Sequence, residues 1–448
     1  MAEMKDILTG LDRYEAFLEK LDKEIVRMDG YRIGIIYTDI KHFKYINDTY
    51  GYQRGDMLLR EFVSQVNDID NKILCAARVY SDNIVVASRV DNDLSNSEFR
   101  DLIYGRNMKI ESMLRENFLD ERLTLNTGIS IIAKDDRRLD AATAVSNANL
   151  ARKLAKEMKD DCCVLFDKKM VEGIKREVEI TSSLPTAIKN SEFKIYYQPK
   201  IETRSRRLIG AEALVRWQKP DGSFVMPDDF IPFIEQSGQV VELDYFVYRE
   251  VFKFIANRIE NGEPVVPVSV NVSRVHLNRM EILNYVKELF EEYKILPKYV
   301  EFELTESIYI DNTEKALKLV EGLHSMGVKV SMDDFGSGYS SLNLLSDLPI
   351  DTIKLDKVFL KEASASEGRM KENDKIIISC MVDMAKRLQI TSLCEGVETS
   401  EQSSYLSEIG CEIQQGYYFS RPIPQSEFEA FIDNNINSYQ EEQKLMVM

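Results

Sequence analysis

Histidine is scarce in this chain of 448 residues: His42, His276 and His324 are the full set. With so few imidazoles, any metal here is held mostly by carboxylates, and oxygen donors favour Mg²⁺ or Mn²⁺ over zinc. Cysteine offers no alternative. The six cysteines (Cys75, Cys162, Cys163, Cys380, Cys394 and Cys411) show no CxxC spacing. That excludes a zinc site and a disulfide scaffold, and fits reduced thiols in a cytoplasm. No apolar run reaches the roughly 18 residues that suggest a membrane segment. The opening MAEMKDILTG carries acids where a signal peptide has an apolar stretch. Positive charge is also short: a net charge of −17 excludes a broad basic surface for a nucleic acid polymer. A small phosphate ligand is not excluded, because bound cations outweigh global charge locally.

What is present is a long alternation of strand-like apolar runs and amphipathic helical stretches, the pattern of an α/β protein. With 44% hydrophobic residues the chain is long enough for two domains, each with its own core. No Gly/Ser-rich or Pro-rich linker separates them. Residues 166–190, FDKKMVEGIKREVEITSSLPTAIKN, are charged, with Met170, Ile174 and Val178 at helical spacing. The expectation is one domain over 1–170, a second over 171–438 and a tail over 439–448, with a stiff helical connection. Ala363 to Asp374 reads as a polar surface loop, and Asn434 to Met448 as a frayed end.

From Phe193 onward eight β-rich runs follow one another: FKIYYQPKI, GAEALVRW, VVPVSVNVS, YVEFELTES, VKVSMDDFGSG, TIKLDKVF, ITSLCEGVET and EIQQGYYFS. Eight strands over this length predict a (β/α)₈ TIM-like barrel, with its chemistry at the strand ends. Glu212 lies on the second run, Asn271 ends the third, and Glu303 and Glu306 end the fourth. Asp333 and Asp334 end the fifth, Lys354 is on the sixth, Glu395 and Glu398 on the seventh, Gln415 on the eighth. Singly, each is an ordinary loop or capping residue. Together, carboxylates converging on one mouth repel one another unless a cation compensates. Asp333 and Asp334 would face opposite sides of a regular strand, so both reach one site only if the strand ends there.

These runs resemble the EAL-domain cyclic di-GMP phosphodiesterases. AEALVRW (211–217), YYQP, VNVS, ELTES, DDFGSGYSSL, EGVET and QGYYFSRP recur in that family's order. The resemblance implies that Glu212, Asn271, Glu303, Asp333, Asp334 and Glu395 hold two Mg²⁺ or Mn²⁺ ions. It implies that Lys354 contacts the attacking water, that Glu398 is a supporting carboxylate, and that Gln198, Arg216 and Gln415 touch cyclic di-GMP. Glu306 resembles the anchor of a lid from Asp334 to Leu342, with Gly336 and Gly338 as hinges. The implied reaction is hydrolysis to linear pGpG by a water activated between two metals, in a protein that pairs into a homodimer through this domain. A receptor that binds the dinucleotide without cleaving it is the rival reading, and such receptors lose ligands that this chain keeps.

The first 168 residues resemble the GGDEF diguanylate cyclase domain. YTDIKHFKYINDTYGYQRGDMLL carries Asp39 in the metal position and Asn47 and Asp56 in nucleotide-contacting ones. The signature hairpin is degenerate: Tyr80, Ser81, Asp82 and Asn83 stand where glycines and acids belong, so side chains obstruct the approach of a nucleotide. Asn71 and Leu74 replace the inhibitory RxxD pair. The unit is expected not to make cyclic di-GMP. Two roles stay open, a regulatory domain that binds GTP through Asp39, Asn47 and Asp56, and a structural or dimerising domain. Of the histidines, His276 is expected at a helix start in a surface or capping role, and His42 packed in the cyclase-like fold.

Overall fold

The computed structural model describes residues 5–69, 72–118, 123–133, 139–158, 162–336, 349–360 and 372–435. The expected positions Asn71, Ser337 to Leu342, most of the 363–374 loop and the end of the chain from 436 lie outside these residues. The chain divides into two compact units, Met1–Arg176 and Glu177–Met448. The division falls within a single helix, Lys168–Lys189, in the segment whose periodicity predicts one.

The first unit is built on a six-stranded sheet in the order β1 (Asp12–Arg13), β3 (Ile73–Tyr80), β4 (Asn83–Asp91), β2 (Tyr31–Ile40), β5 (Leu125–Ile132) and β6 (Cys163–Leu165). Strand β2 is buried along most of its length, with Ile36 and Ile40 in one core and Ile33, Ile35 and Tyr37 in another. β3 and β4 meet in a hairpin in which Tyr80 pairs with Asn83. Ser81 takes a φ of 48° there, a left-handed conformation that glycine adopts more readily. Tyr80 is exposed, so the degenerate hairpin still turns but presents a ring at its tip. His42 is exposed, with a φ of 60°, which corrects the expectation that it packs in the cyclase-like fold.

The second unit is a closed barrel. Its eight strands are β7 (Phe193–Glu202), β8 (Leu208–Gln218), β10 (Val268–Val272), β11 (Val300–Thr305), β12 (Lys329–Phe335), β13 (Thr352–Leu355), β14 (Thr391–Cys394) and β15 (Ile413–Gln414). Two short strands, β9 (Phe224–Val225) and β16 (Ile423–Pro424), extend it. The eight runs read from the sequence are these eight strands. One feature departs from an all-parallel barrel: β7 runs antiparallel to both β8 and β15. The turn at 203–207 is too short for the dozen or more residues that a parallel crossover needs, so β7 and β8 form a hairpin.

Alternation sorts the strands into two faces. Outward residues pack against the helices: Val268, Val270, Phe302, Leu304, Val330, Met332 and Ile353 are all buried in one core. Trp217 is fully buried, tilted against Phe193 and edge-to-face with Phe230, with ring centroids 5.0 and 5.5 Å away. Each such side chain contributes about 1.5–3 kcal/mol through burial. The inward residues are of another kind: Lys200, Glu212, Glu301, Glu303, Asp333 and Lys354 line a barrel whose interior is usually filled with Val, Ile and Leu.

Candidate active site

The polar interior concentrates at one mouth. Parallel registers set Ser269 beside Glu212, Asn271 beside Glu303 and Thr305 beside Asp333, so adjacent strands deliver acids at neighbouring heights. On β7, Gln198 pairs directly with Glu212. Lys354 stands at the centre, 1% exposed. Its Nζ lies 3.5 Å from Glu212, 2.5 Å from Glu303, 2.9 Å from Asp333 and 2.7 Å from Glu395. The Asn271 amide donates to Glu212 Oε1 at 3.1 Å. The Gln415 amide donates to Glu212 Oε2 at 2.7 Å and to Gln198 Oε1 at 3.1 Å.

Asp334 reaches the same mouth by a route other than the strand end expected: the strand continues to Phe335 and bulges at Asp334. The β12–β13 pairing shifts register between Met332 and Phe335, and Asp334 has a φ of 56°. This left-handed step turns Asp334 toward the side of Asp333, so two successive residues serve one site. Gly336 follows with a φ of 92°, and its N–H donates to Glu306 Oε2 at 3.3 Å. Glu306 is buried at the start of the helix Glu306–Asp311. The Glu306 carboxylate thus meets the backbone just after Asp334.

Electrostatics follows from crowding acids in a buried mouth. Burial, then Glu303, push Glu212 upward despite Lys354. Burial pushes Glu395 up to about 8, against the pull of Lys354. Burial and then the neighbouring Asp333 and Asp356 raise Asp334 to about 6. Glu303 goes the other way: burial alone would raise it, but Lys200 and Lys354 hold it at about 2. Burial also opposes the charge on Lys354, yet Asp333, Glu212, Glu303 and Glu395 outweigh it and keep the ammonium well above its ordinary range. Burial pulls the Arg216 guanidinium below its usual value.

The donor set suits hard divalent cations. Ligand oxygens of Glu212, Glu303 and Asp333 lie within 4.8 Å of one another, as do those of Asp333, Asp334 and Glu395. Asp333 belongs to both groups. Oxygen donors without imidazole or thiolate match Mg²⁺ or Mn²⁺. The carboxylates, with only Lys354 and Lys200 among them, leave the negative excess that such ions would neutralise.

Other expected positions fare differently. Glu398 is exposed, and its backbone N–H donates to Gln402 at 2.7 Å. Among the described residues no contact ties its carboxylate to the cluster. Arg216 is half-buried at the rim, its guanidinium 5.9 Å from the Tyr196 ring. Beside it a cavity of about 250 Å³ is lined by Ala213, Leu214 and Ile231 on its apolar side and by Arg216, Asp244 and Asn271 on its polar side.

Three groups were missed by sequence reasoning. Lys200 is buried, 2.8 Å from Glu303 Oε1 and 3.5 Å from Glu301. It lies two residues after Gln198, so period-two alternation sets it on the same inward face; that signal was available. His276 is 1% exposed and pairs with Asp244 at 2.9 Å. This corrects the surface role expected for it. In the first unit, Arg152 pairs with Asp39. Asn47 lies against Gly55, and Asp56 sits on the helix Tyr52–Ile69; no described contact joins either to Asp39.

Family models match both units of the chain. The family model described as EAL domain matches residues 181–422. The one described as diguanylate cyclase, GGDEF domain, matches residues 3–162. The cyclic di-GMP phosphodiesterase NbdA of Pseudomonas aeruginosa is 30% identical over 432 residues, which cover 95% of this chain and 54% of that protein. The cyclic di-GMP phosphodiesterase PdeR of Escherichia coli is 30% identical over 424 residues, covering 95% of this chain and 62% of that protein. The chain therefore spans between about half and two-thirds of the length of these relatives. A solved structure titled PaMucR Phosphodiesterase, c-di-GMP complex, is 30% identical with a TM-score of 0.52, covering 56% of this chain and 99% of that one. No helix among the described residues is long and apolar enough to cross a membrane.

Proposed function

The chain belongs to the EAL domain family, and from that premise we propose that its barrel hydrolyses cyclic di-GMP to linear pGpG. The observation that carries this reading is the cluster Glu212, Asn271, Glu303, Asp333, Asp334 and Glu395 around Lys354. Receptors that only bind would have no need of so costly a concentration of buried acids. Glu212, Asn271, Glu303 and Asp333 would hold one cation, and Asp333, Asp334 and Glu395 a second, with Mg²⁺ and Mn²⁺ the candidates. When bound, such ions supply an acidified water and charge neutralisation at the phosphodiester.

The chain's own residues do the rest. Lys354 would contact the attacking water, orienting it or taking its proton. Arg216 at the rim faces the non-bridging phosphoryl oxygens. Gln198 and Gln415, fixed to each other and to Glu212, present amides to the sugar-phosphate ring. The cavity beside Arg216 would take one purine, with Asp244 accepting hydrogen bonds from its edge. One P–O bond forms to the water oxygen, one P–O bond to the ribose breaks, and the proton ends on the released hydroxyl. The degenerate first unit is regulatory or structural in this scheme, and the protein pairs through its barrel, which sedimentation would test.

Incubation with cyclic di-GMP and Mg²⁺ or Mn²⁺, followed by chromatography, tests the proposal. The wild type should yield pGpG and the Glu212→Ala variant none. Intact ligand from folded wild-type protein in both metals would favour the receptor reading instead.

A further inference from the structure

Asp39 occupies the position where a cyclase-like domain is expected to hold a divalent cation, and the residues around it do not fit that use. Its Oδ1 accepts a 2.7 Å hydrogen bond from the Asn126 amide, and its Oδ2 accepts from the Arg152 guanidinium. All three residues are buried: Asp39 is 5% exposed, Asn126 0% and Arg152 6%. Arg152 is fixed in turn. Its Nε donates to Asn149 at 3.0 Å, and its guanidinium lies 5.3 Å from the Tyr37 ring.

The fold brings this cation in by design of the backbone. Arg152 is on the helix Ala141–Glu157, which packs on β5. Gly128, paired with Tyr37 across the sheet, lets that helix approach. A Cβ at Gly128 would fall 2.0 Å from the Ala148 carbonyl and 2.1 Å from the Arg152 nitrogen. The acids that might have served a metal are engaged or gone. Asp82 Oδ2 accepts the Ile40 N–H at 2.9 Å, and Asn83 stands where the second acid belongs. A buried carboxylate whose two oxygens already face an amide and a guanidinium has its charge compensated from within.

We infer that Arg152 is the permanent counter-cation of Asp39, in place of a divalent metal. The first unit thus keeps the fold of a metal–nucleotide site while taking neither metal nor metal-bound GTP at Asp39. The claim is independent of what the barrel does.

Hydrogen exchange on the full-length protein tests it, read over Tyr31–Ile40 and Ala141–Glu157. Mn²⁺, Mg²⁺ or either with GTP should leave exchange in these segments of the wild type unchanged. Arg152→Leu should speed it by about tenfold or more, because Asp39 is then buried unpaired. Mn²⁺ should restore protection in that variant. The double variant Asp39→Asn/Arg152→Leu, with no charge left to compensate, should fold, be protected and ignore Mn²⁺. Metal- or GTP-dependent protection in the wild type that vanishes in Asp39→Asn would overturn the proposal. So would an Arg152→Leu variant with unchanged exchange, or one whose fast exchange Mn²⁺ leaves as it is.

Discussion

Loading the barrel with metal should expel protons, because several of its carboxylates are shifted upward. Glu395 is pushed up to about 8 and Asp334 to about 6. At pH 7 the first is therefore about 90% protonated and the second about 10%. Because a carboxylate must be ionised to bind a cation, filling both sites at pH 7 should release on the order of one proton, Glu395 giving most of it and the upward-shifted Glu212 adding to it. The sign is fixed by the upward shifts: protons occupy the metal-free site, so affinity rises with pH. It should climb about tenfold per unit between pH 6 and 8, more steeply below 6 as Asp334 also protonates, and level off above 8. Isothermal titration with Mn²⁺ in two buffers of different ionisation enthalpy measures the released protons directly. Glu395→Gln should abolish most of the release at pH 7. A release near zero in the wild type, or an affinity that does not change between pH 6 and 8, would refute the reasoning.

Lys354→Met removes the cation shared by Glu212, Glu303, Asp333 and Glu395. Turnover of cyclic di-GMP should fall by about 10²–10³-fold, read as a loss of kcat in saturating substrate. Lys200→Met leaves Glu303 without one of its two ammonium partners and should cost about 3–5 kcal/mol of barrel stability. The only tryptophan of the chain, Trp217, is in the barrel, so its fluorescence during urea unfolding isolates that effect. Gly336→Ala meets both a φ of 92° and a Phe359 ring carbon 2.7 Å from the new Cβ. The strain of about 1–3 kcal/mol should displace the Glu306 contact and lower kcat while the Trp217 signal of the folded barrel stays unchanged.

Much of the site was readable because strands repeat every two residues and barrel chemistry gathers at strand ends. Glu212, Asn271, Glu303 and Asp333 each sit on a strand at the mouth, as their placement in the eight runs predicts. Asp334 was readable only conditionally: the strand bulges at the second aspartate where an end was expected, and a bulge depends on backbone angles that a sequence does not print. The antiparallel β7 was within reach, since 203–207 is too short to cross the barrel. Lys200 was within reach too, by alternation from Gln198. Glu398 shares a short motif with Glu395, yet lies past the end of β14, where the chain turns it to solvent. Arg152 was not legible at all. In NANLARKLAK it is one more charge on a helix, and only the close approach permitted by Gly128 brings it to a carboxylate 113 residues earlier. Asp244 and His276 are likewise joined across 32 residues by the packing of a helix on the mouth.

Anomalous diffraction from crystals grown with Mn²⁺ bears most directly on the central claim, that oxygen donors from separate strands of this barrel gather a pair of divalent ions. Two peaks are expected, one among Glu212, Asn271, Glu303 and Asp333 and one among Asp333, Asp334 and Glu395, with Asp333 touching both. A barrel mouth without anomalous density at saturating Mn²⁺ and pH 8, with Lys354 still seated among the carboxylates, would contradict it.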